Sequence, residues 1–476
     1  MGLYQLVVSV YVLASTFASY GIVTAVTRLI ADELVSGTRK SVRHILLRAI
    51  SLSIILGLLS AAALYFSADF IAISIIGDAR IAPSIKIISF VLPFIGLDSC
   101  LNGYFVARRN VFHNNISQLL EQGLRIWLTI ILLDKLSVLG LGGMCIALLL
   151  GDVIAEIIST FHMMIFVALD LRKLPKQSKD GYVRKKGVLR EIMRIATPIT
   201  SGRYLTTGLR TVENIIVPTN LAKYSGSRES SLSEFGALKG MALPIIFFPA
   251  SFLNAFSMLM VPEMSEANSR HQKHKIKHTV DQTLRLTLLA SIPIAAIFFI
   301  FSKELGSIIF NDNNVGIILG ALAPIIPLMY LESAVDGLLK GLDQQVSSLK
   351  YSVLDSGVRI IAIIAMLPFF GMKGFIFIMY ISNFLTCTLN VKRLLKVAET
   401  KLNWKNWVVK PVISVGLIGA AAYMLKAQVL SHGINQIAYT MVIALAMAVI
   451  YIISLFLFGS VKPEDFSTFR KKTSVR

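Results

Sequence analysis

The sequence predicts a polytopic membrane protein made only of α-helices. Three observations lead to this fold class: a mean hydropathy of +0.70, a charged fraction of only 16%, and apolar runs that recur from one end of the chain to the other. Soluble domains carry about 25% charged residues. An apolar run of about 20 residues is long enough to cross the hydrocarbon core of a bilayer as a helix.

The apolar runs predict thirteen membrane spans. Polar or basic residues separate each run from the next, and the longer runs must tilt to fit the hydrocarbon core. The Ser-rich stretch at 220–235 is predicted to be a loop. The predicted spans cover residues 4–29, 45–66, 86–107, 115–134, 138–168, 190–219, 236–264, 280–302, 316–340, 345–368, 372–395, 408–426 and 436–458.

The distribution of Lys and Arg predicts the orientation in the membrane. Loops on one side of the thirteen spans hold 31 of these residues, whereas loops on the other side hold 6. Because cytoplasmic loops are enriched in Lys and Arg, the C-terminus is predicted to be cytoplasmic and the N-terminus external. The same distribution explains the net charge of +20, so no nucleic-acid partner is predicted.

The two halves of the chain align with each other when one is shifted by 234 residues without a gap. Prolines, glycines, acidic residues and arginines then meet residues of their own class, which indicates an internal duplication. With a gap of three residues, Asp152 also meets Asn383. The aligned pairs include Pro93 with Pro327, Asp98 with Glu332, Gly103 with Gly337, Glu121 with Asp355, and Arg125 with Arg359.

The duplication predicts two lobes with the same orientation, because the repeat holds six spans. Repeats of this kind are related by a pseudo-twofold axis along the membrane normal. The first lobe is predicted at 1–170 with five spans, so a first helix is apparently missing, and a basic cytoplasmic linker follows at 171–189. The second lobe is predicted at 190–396 with six spans, and two extra spans with a basic tail at 397–476.

The sequence predicts no enzyme, no cofactor and no metal site. The three cysteines fall in apolar runs and lack the spacing of metal ligands. The histidines at 271–278 lie in a basic loop, which would repel a cation. The sequence also lacks the motifs of zinc proteases, P-loop ATPases and serine hydrolases.

Arg203 and Arg210 are the leading candidates for substrate contact. An ionisable side chain deep in a span is costly unless it is paired or hydrated, so it suggests a transport pathway. The two arginines are seven residues apart and share a helix face, with Glu213 about 80° away. A guanidinium group suits the oxygens of a diphosphate. The alternative is an Arg–Glu pair that only holds two helices together.

Two acid–base pairs are candidates for an inner gate. Glu121 precedes Arg125 by four residues, and Asp355 precedes Arg359 by the same spacing. This order is favourable on a helix. Each pair either forms a gate or head-group contact, or merely neutralises charge near the cytoplasmic end of its span.

Two prolines are candidate hinges. Asp98 follows Pro93 by about one turn, and Glu332 follows Pro327 by the same spacing. A proline kinks a helix and frees a backbone carbonyl. Each kink with its carboxylate either shapes a cavity or serves as a packing device.

Further polar residues inside the spans are candidates for the cavity or for ion coupling. Asp152 and Asn383 are equivalent in the repeat, and Asp152 together with Glu156 could take up a coupling cation or proton. Asn254 is a candidate substrate contact, with an interhelical hydrogen bond as the alternative.

Four segments carry a resemblance to a known family: "GLYQLVVSVYVLA", "AVTRLIADEL", "LNGYFVARRNVFHNNISQLLEQGLRI" and "LMVPEMSEA". They resemble the stage V sporulation protein B group of the multidrug/oligosaccharidyl-lipid/polysaccharide exporter superfamily, which includes MurJ lipid II flippases and MATE exporters. The resemblance implies fourteen helices, as two six-helix lobes plus two. It also implies movement of undecaprenyl-linked sugars, including peptidoglycan precursors. The thirteen spans match this architecture without its first helix, which in MurJ-type relatives carries basic cavity residues.

The leading hypothesis is therefore a flippase for an undecaprenyl-linked oligosaccharide or a lipid II-type precursor, working by alternating access as a monomer in the bacterial plasma membrane. Its partners would be that lipid-linked substrate and the membrane lipids. A cation-coupled exporter of small amphiphiles is the alternative within the same fold. A membrane-embedded glycan-processing enzyme is a third reading, which the short outer loops disfavour. Fold alone does not decide the substrate.

Overall fold

The computed structural model describes residues 1–36, 39–110, 112–174, 187–400, 402–430 and 436–457. Within these ranges the chain forms seventeen α-helices with short 3₁₀ and π-helical segments, and no strand occurs there. The chain divides into two compact units, Leu3–Ile216 and Val217 onwards. The central part of the predicted linker and the predicted C-terminal tail lie outside the described residues.

Helices α1 to α7 and most of α8 belong to the first unit. Two of the predicted spans are broken in this unit. The span at 4–29 breaks at Tyr20 and Gly21, which both have left-handed backbone angles. The span at 86–107 bends by 40° between two helices. The helices are α1 Gly2–Ser19, α2 Ile22–Ser36, α3 Arg39–Phe70, α4 Ala82–Ser89, α5 Leu92–Ala107, α6 Phe112–Leu136, α7 Gly140–Lys173 and α8 Val188–Ser225.

The core of the first unit is an apolar cluster from five helices. Side chains of α2, α3, α5, α7 and the start of α8 are buried together, including Tyr104 and Phe105 of α5. At the edge of this cluster, Asp170 accepts hydrogen bonds from the Tyr104 hydroxyl at 2.8 Å and from Arg108 Nε at 3.0 Å. Apolar burial and this small polar group together hold α5 against α7.

The second unit contains α9 to α17. Its main core joins α10, α11, α14 and the second arm of α15, with Trp407. Helix α15 turns at Gly371, which has a φ of 57°. Glycine adopts this backbone angle at little cost because it has no Cβ. The helices are α9 Arg228–Ala237, α10 Leu243–Ser269, α11 Lys273–Ile300, α12 Ser302–Phe310, α13 Asn313–Leu322, α14 Ile326–Gly341, α15 Gln345–Ala398, α16 Lys410–Leu430 and α17 Gln436–Leu457.

The Ser-rich stretch predicted as a loop contains a helix instead. Helix α9 begins after Ser227, whose side chain accepts a hydrogen bond from the backbone N–H of Ser230, and Glu229 lies in the first turn. A serine before a helix and an acidic residue in its first turn both stabilise the N-terminus. The prediction was wrong because serine favours caps as well as loops.

The division into units differs from the predicted lobe boundary. The second lobe is predicted to begin at residue 190, but the first unit extends to Ile216 and so includes most of α8. Val188, Ile192 and Ala196 of α8 are buried in the first unit's core cluster. In the predicted alignment of the two halves, α8 begins the second repeat. Its buried side chains, however, pack with the helices that precede it.

Ten helical segments of the described chain are long and apolar enough to cross a membrane, or eleven if the bent pair of α4 and α5 counts as one span. Helix α15 enters this number once, although it contains the turn at Gly371. Helix α8 is not among the ten, since Arg, Glu and Thr residues interrupt its apolar character. The number of thirteen spans therefore stays a prediction.

Helix α17 packs on α11 beside a proline that lies inside α11. Pro293 lies inside α11 and cannot donate to the carbonyl of Leu289, four residues earlier. The Tyr451 hydroxyl of α17 donates to that carbonyl at 3.0 Å. Beside this contact, α11 and α17 line an apolar groove of about 500 Å³. A backbone acceptor freed by a proline thus becomes a docking point for the C-terminal helices.

We expect Tyr451→Phe to destabilise the protein by about 1 kcal/mol, because the Leu289 carbonyl then loses its donor in an apolar setting. Thermal unfolding in detergent, followed by the exposure of buried cysteines, measures the change. Tyr423→Phe on α16 is the matched control, since Tyr423 is 63% exposed. Equal melting temperatures for the wild type and both variants would contradict the assigned role of the hydroxyl.

Candidate functional site

Arg203 and Arg210 lie on a face of α8 that changes from buried to open along the helix. Ala196, Arg203 and Arg210 follow each other at intervals of seven residues, so each lies about 20° from the previous one around the axis. Ala196 is fully buried in the core of the first unit, whereas both arginines are exposed. The face that packs at the start of α8 therefore opens at Arg203.

Neither arginine has an ion-pair partner among the described residues. A charged group facing hydrocarbon is costly, whereas a hydrated cavity accommodates it. Two unpaired guanidinium groups on one open face are therefore available to bind an anion. This arrangement favours substrate contact over a structural Arg–Glu pair.

Glu213 does not share this open face. It is 4% exposed and has an interaction within the protein. Beside it, Thr211 and Asn214 fasten α8 to α1. The Thr211 hydroxyl donates to the Ser9 carbonyl at 3.0 Å, and Asn214 Nδ2 donates to Ser9 Oγ at 2.9 Å. Glu213 is thus buried, whereas the two arginines are exposed.

Four predicted residues of the first unit meet in one polar network. Arg125 on α6 binds Glu121 one turn earlier on the same helix, and its Nε lies 2.8 Å from Asp152 Oδ1 on α7. The Tyr4 hydroxyl of α1 donates to the other oxygen of Asp152 at 3.1 Å. The network also includes Asp98 on α5, which lies within electrostatic range of Glu121. Side chains from four helices of one unit therefore belong to this network, and Arg125 pairs with two of its acids.

Glu156 extends this network by one turn of α7. It lies within electrostatic range of Asp98, Glu121, Asp152 and Arg125. All four carboxylates are only half-buried. Because the network holds four acids and one arginine, it has room for a further positive charge.

Sequence reasoning missed the contribution of α1 to this network. Tyr4 binds Asp152 directly, and Tyr11 lies within electrostatic range of Glu156 and Asp152. The two tyrosines are seven residues apart, so they share a helix face. That spacing was the available signal, but an apolar helix contains many such pairs.

The equivalent positions of the second unit are less charged. Asp355 Oδ1 accepts a hydrogen bond from Ser382 Oγ at 2.7 Å, across the turn of α15. Asn383, the counterpart of Asp152, donates to the Met379 carbonyl of its own helix at 2.7 Å. Arg359 and Glu332 each have an interaction within the protein. The positions that the predicted duplication pairs are therefore polar in both halves, but the acidic network lies in the first unit.

The two predicted hinge prolines occupy the same kind of position. Pro93 lies in the first turn of α5, directly after the 40° bend from α4. Pro327 lies in the first turn of α14, after the 3₁₀ turn at 323–325. A proline is tolerated there because its missing N–H has no intrahelical partner. Each proline therefore marks a break between two helices and not a kink within one.

Two further points limit the site. The side chain of Asn254 lies outside what the structure describes, although α10 runs through that position. No group of three or more His, Cys, Asp or Glu side chains suited to a metal ion occurs in the described part of the chain. The candidate site thus consists of the open face of α8 and the polar network in the first unit.

Comparison with known proteins finds two family models and several relatives that resemble this chain. The family model "Polysaccharide biosynthesis protein" matches residues 1–226, and the model "MatE" matches residues 237–367. Stage V sporulation protein B of Bacillus subtilis (strain 168) is 23% identical over 470 residues, covering 98% of this chain and 90% of that protein.

Two solved structures share the fold. Lipid II flippase MurJ in an inward closed conformation is 14% identical, with a TM-score of 0.64 and coverage of 100% of this chain and 99% of that chain. A multidrug resistance MATE family transporter of the MOP superfamily, in an outward-facing conformation, is 12% identical, with a TM-score of 0.58 and coverage of 84% and 88%. In sequence and in fold, the chain thus resembles transporters of the MOP superfamily.

The shared fold confirms the predicted fold class, an all-α polytopic membrane protein. The two solved structures named above are a lipid II flippase and a multidrug resistance transporter, so both kinds of function occur on this fold. The fold does not distinguish a lipid-linked cargo from a small amphiphile. That choice depends on the residues of this chain.

Proposed function

We propose that this protein is a flippase that moves an undecaprenyl-linked oligosaccharide, or a peptidoglycan precursor of the lipid II type, across the plasma membrane by alternating access. The observation that carries the proposal is the pair of exposed arginines, Arg203 and Arg210, on one face of α8, without ion-pair partners in the described chain. A diphosphate linkage is a double anion, and guanidinium groups suit its oxygens. A cationic amphiphile would be repelled by the same face.

The other predicted residues have supporting roles in this proposal. The network of Arg125 with Glu121 and Asp152 ties α6 and α7 together and acts as a gate. The breaks at Pro93 and Pro327 are the hinges, because a few residues at the end of an element can absorb the change in backbone angles. The protein acts as a monomer with a cytoplasmic C-terminus and changes no covalent bond of its cargo.

A cation-coupled exporter of small amphiphiles is the second candidate. The observation that favours it is the excess of carboxylates in the first unit, where Asp98, Asp152 and Glu156 belong to a network with a single arginine. A proton or a monovalent cation could compensate this charge, and its release could drive transport. The same network could equally couple ion movement to lipid flipping, so it does not by itself decide the cargo.

Reconstitution in proteoliposomes tests the two candidates against each other. A fluorescent undecaprenyl-linked peptidoglycan precursor and a cationic dye are offered in parallel, with and without a proton or sodium gradient. We expect the lipid to change leaflets and the dye to stay outside. Gradient-driven dye transport without lipid movement would overturn the flippase assignment in favour of the exporter.

A further inference from the structure

Three aromatic side chains form a row in the first unit beside Arg203. Phe17 lies near the end of α1, Tyr20 lies at the break that follows, and Tyr204 lies on α8. The ring centroids of Phe17 and Tyr20 are 6.3 Å apart, and those of Phe17 and Tyr204 are 6.5 Å apart. Both contacts are edge-to-face, at 70° and 69°, so the rings do not cover each other's faces as stacked rings would.

The row is held in place at its Tyr20 end. The Thr197 hydroxyl donates to the Met193 carbonyl at 2.6 Å, so it must accept the hydrogen bond from the Tyr20 hydroxyl at 2.8 Å. Tyr20 has a φ of 36°, which is uncommon for a residue with a side chain. The next residue, Gly21, has a φ of 55° and lies so close to the Ala196 carbonyl that a Cβ would approach it to 3.0 Å. Such local strain is typical of functional sites.

The surroundings of the row are polar, which separates it from a lipid-facing surface. Phe17 is 39% exposed and Tyr204 is 44% exposed, and the exposed positions next to them on α8 include Thr197, Ser201 and Arg203. By contrast, the exposed residues of α17 are all apolar over the part of that helix whose side chains are described. Polar groups are costly in hydrocarbon, so this part of α8 borders a hydrated space, with Arg203 about 100° around the helix axis from Tyr204.

We propose that Phe17, Tyr20 and Tyr204 bind the sugar rings of the cargo, next to an anionic group at Arg203; this inference rests on the proposed function. A pyranose ring presents a face of C–H groups that packs on an aromatic ring, and its hydroxyl groups need polar partners. The Tyr204 hydroxyl has no hydrogen-bond partner in the described chain, so it is available to one of them. The three rings together are long enough to contact two sugar residues.

Transport of two lipids by the reconstituted full chain tests this inference. One probe is undecaprenyl diphosphate that carries a disaccharide, and the other is undecaprenyl diphosphate without sugar. We expect Phe17→Leu and Tyr204→Leu each to reduce transport of the disaccharide lipid by about tenfold, because one aromatic contact is lost, and to leave the sugar-free lipid within twofold of the wild type. Tyr204→Phe keeps the ring and should retain most of the activity.

Phe66→Leu on α3 is the matched control, since Phe66 is 82% exposed on a different helix. Equal loss of both lipids in the leucine variants, or no loss of either, would overturn the sugar-binding role while the flippase assignment stands. A wild-type protein that moves neither lipid would instead refute the proposed function, and the sugar site with it. The three results are distinguishable in one experiment.

Discussion

Arg203→Ala is expected to lower the rate of lipid translocation by about 10- to 100-fold. A hydrogen bond to a charged group contributes about 1.5–3 kcal/mol. If Arg203 makes such a bond to the diphosphate during transport, losing this free energy slows translocation by about one to two orders of magnitude. Arg203→Lys should fall between the wild type and the alanine variant, because lysine keeps the charge but loses the planar fork. The rate of leaflet exchange in proteoliposomes measures each variant.

Arg194→Ala is the control for this prediction, since Arg194 is an exposed arginine near the start of the same helix. It should insert and transport like the wild type. The melting temperature of each variant shows whether the fold is intact. Wild-type transport by a folded Arg203→Ala protein would contradict the assignment of Arg203 to the cargo.

Lys426→Ala is expected to destabilise the protein by about 3–5 kcal/mol, because it leaves a buried carboxylate without its partner. Lys426 of α16 binds Glu304 at 2.7 Å and the Ile300 carbonyl at 2.8 Å, and it lies 5.6 Å from the centre of the Phe301 ring. The side chains of Lys426 and Glu304 are only 13% and 7% exposed. This pair fastens the C-terminal helices to α11 and α12, so its loss should lower the unfolding temperature and loosen α16.

Two comparisons separate the buried pair from ordinary surface charge. The double variant Lys426→Met with Glu304→Gln should recover most of the stability, because no unpaired charge remains. Lys86→Ala removes a more exposed ion pair with Asp69 and should cost less than about 1 kcal/mol. A loss for Lys426→Ala no larger than that for Lys86→Ala would show that the buried pair has no special role.

Much of the fold could be predicted from local properties of the chain. Apolar run length indicates a membrane helix whatever the helix packs against, so the fold class followed from hydropathy alone. The predicted duplication pairs Pro93 with Pro327, and each of these prolines begins a helix after a break. Arg203 stood out because an arginine deep in an apolar run is rare.

The polar network could not be predicted in full, because it depends on which helix faces meet. The sequence separated Glu121 and Arg125, as a pair on one helix, from Asp152 on the next. The structure joins them and adds Tyr4. Periodicity indicates that residues share a face of one helix, but it contains no information about the rotation of a neighbouring helix around its axis.

By itself, the sequence determined that the chain is a bundle of membrane helices, and it predicted a duplication and arginines inside a span. Only the tertiary structure decided that the first part of α8 packs with the preceding helices, that Glu213 is buried while Arg203 is open, and that Phe17 and Tyr204 meet. The physical reason is that hydropathy and helical period act over neighbouring residues. Burial and contact, in contrast, arise between residues that are distant in the chain.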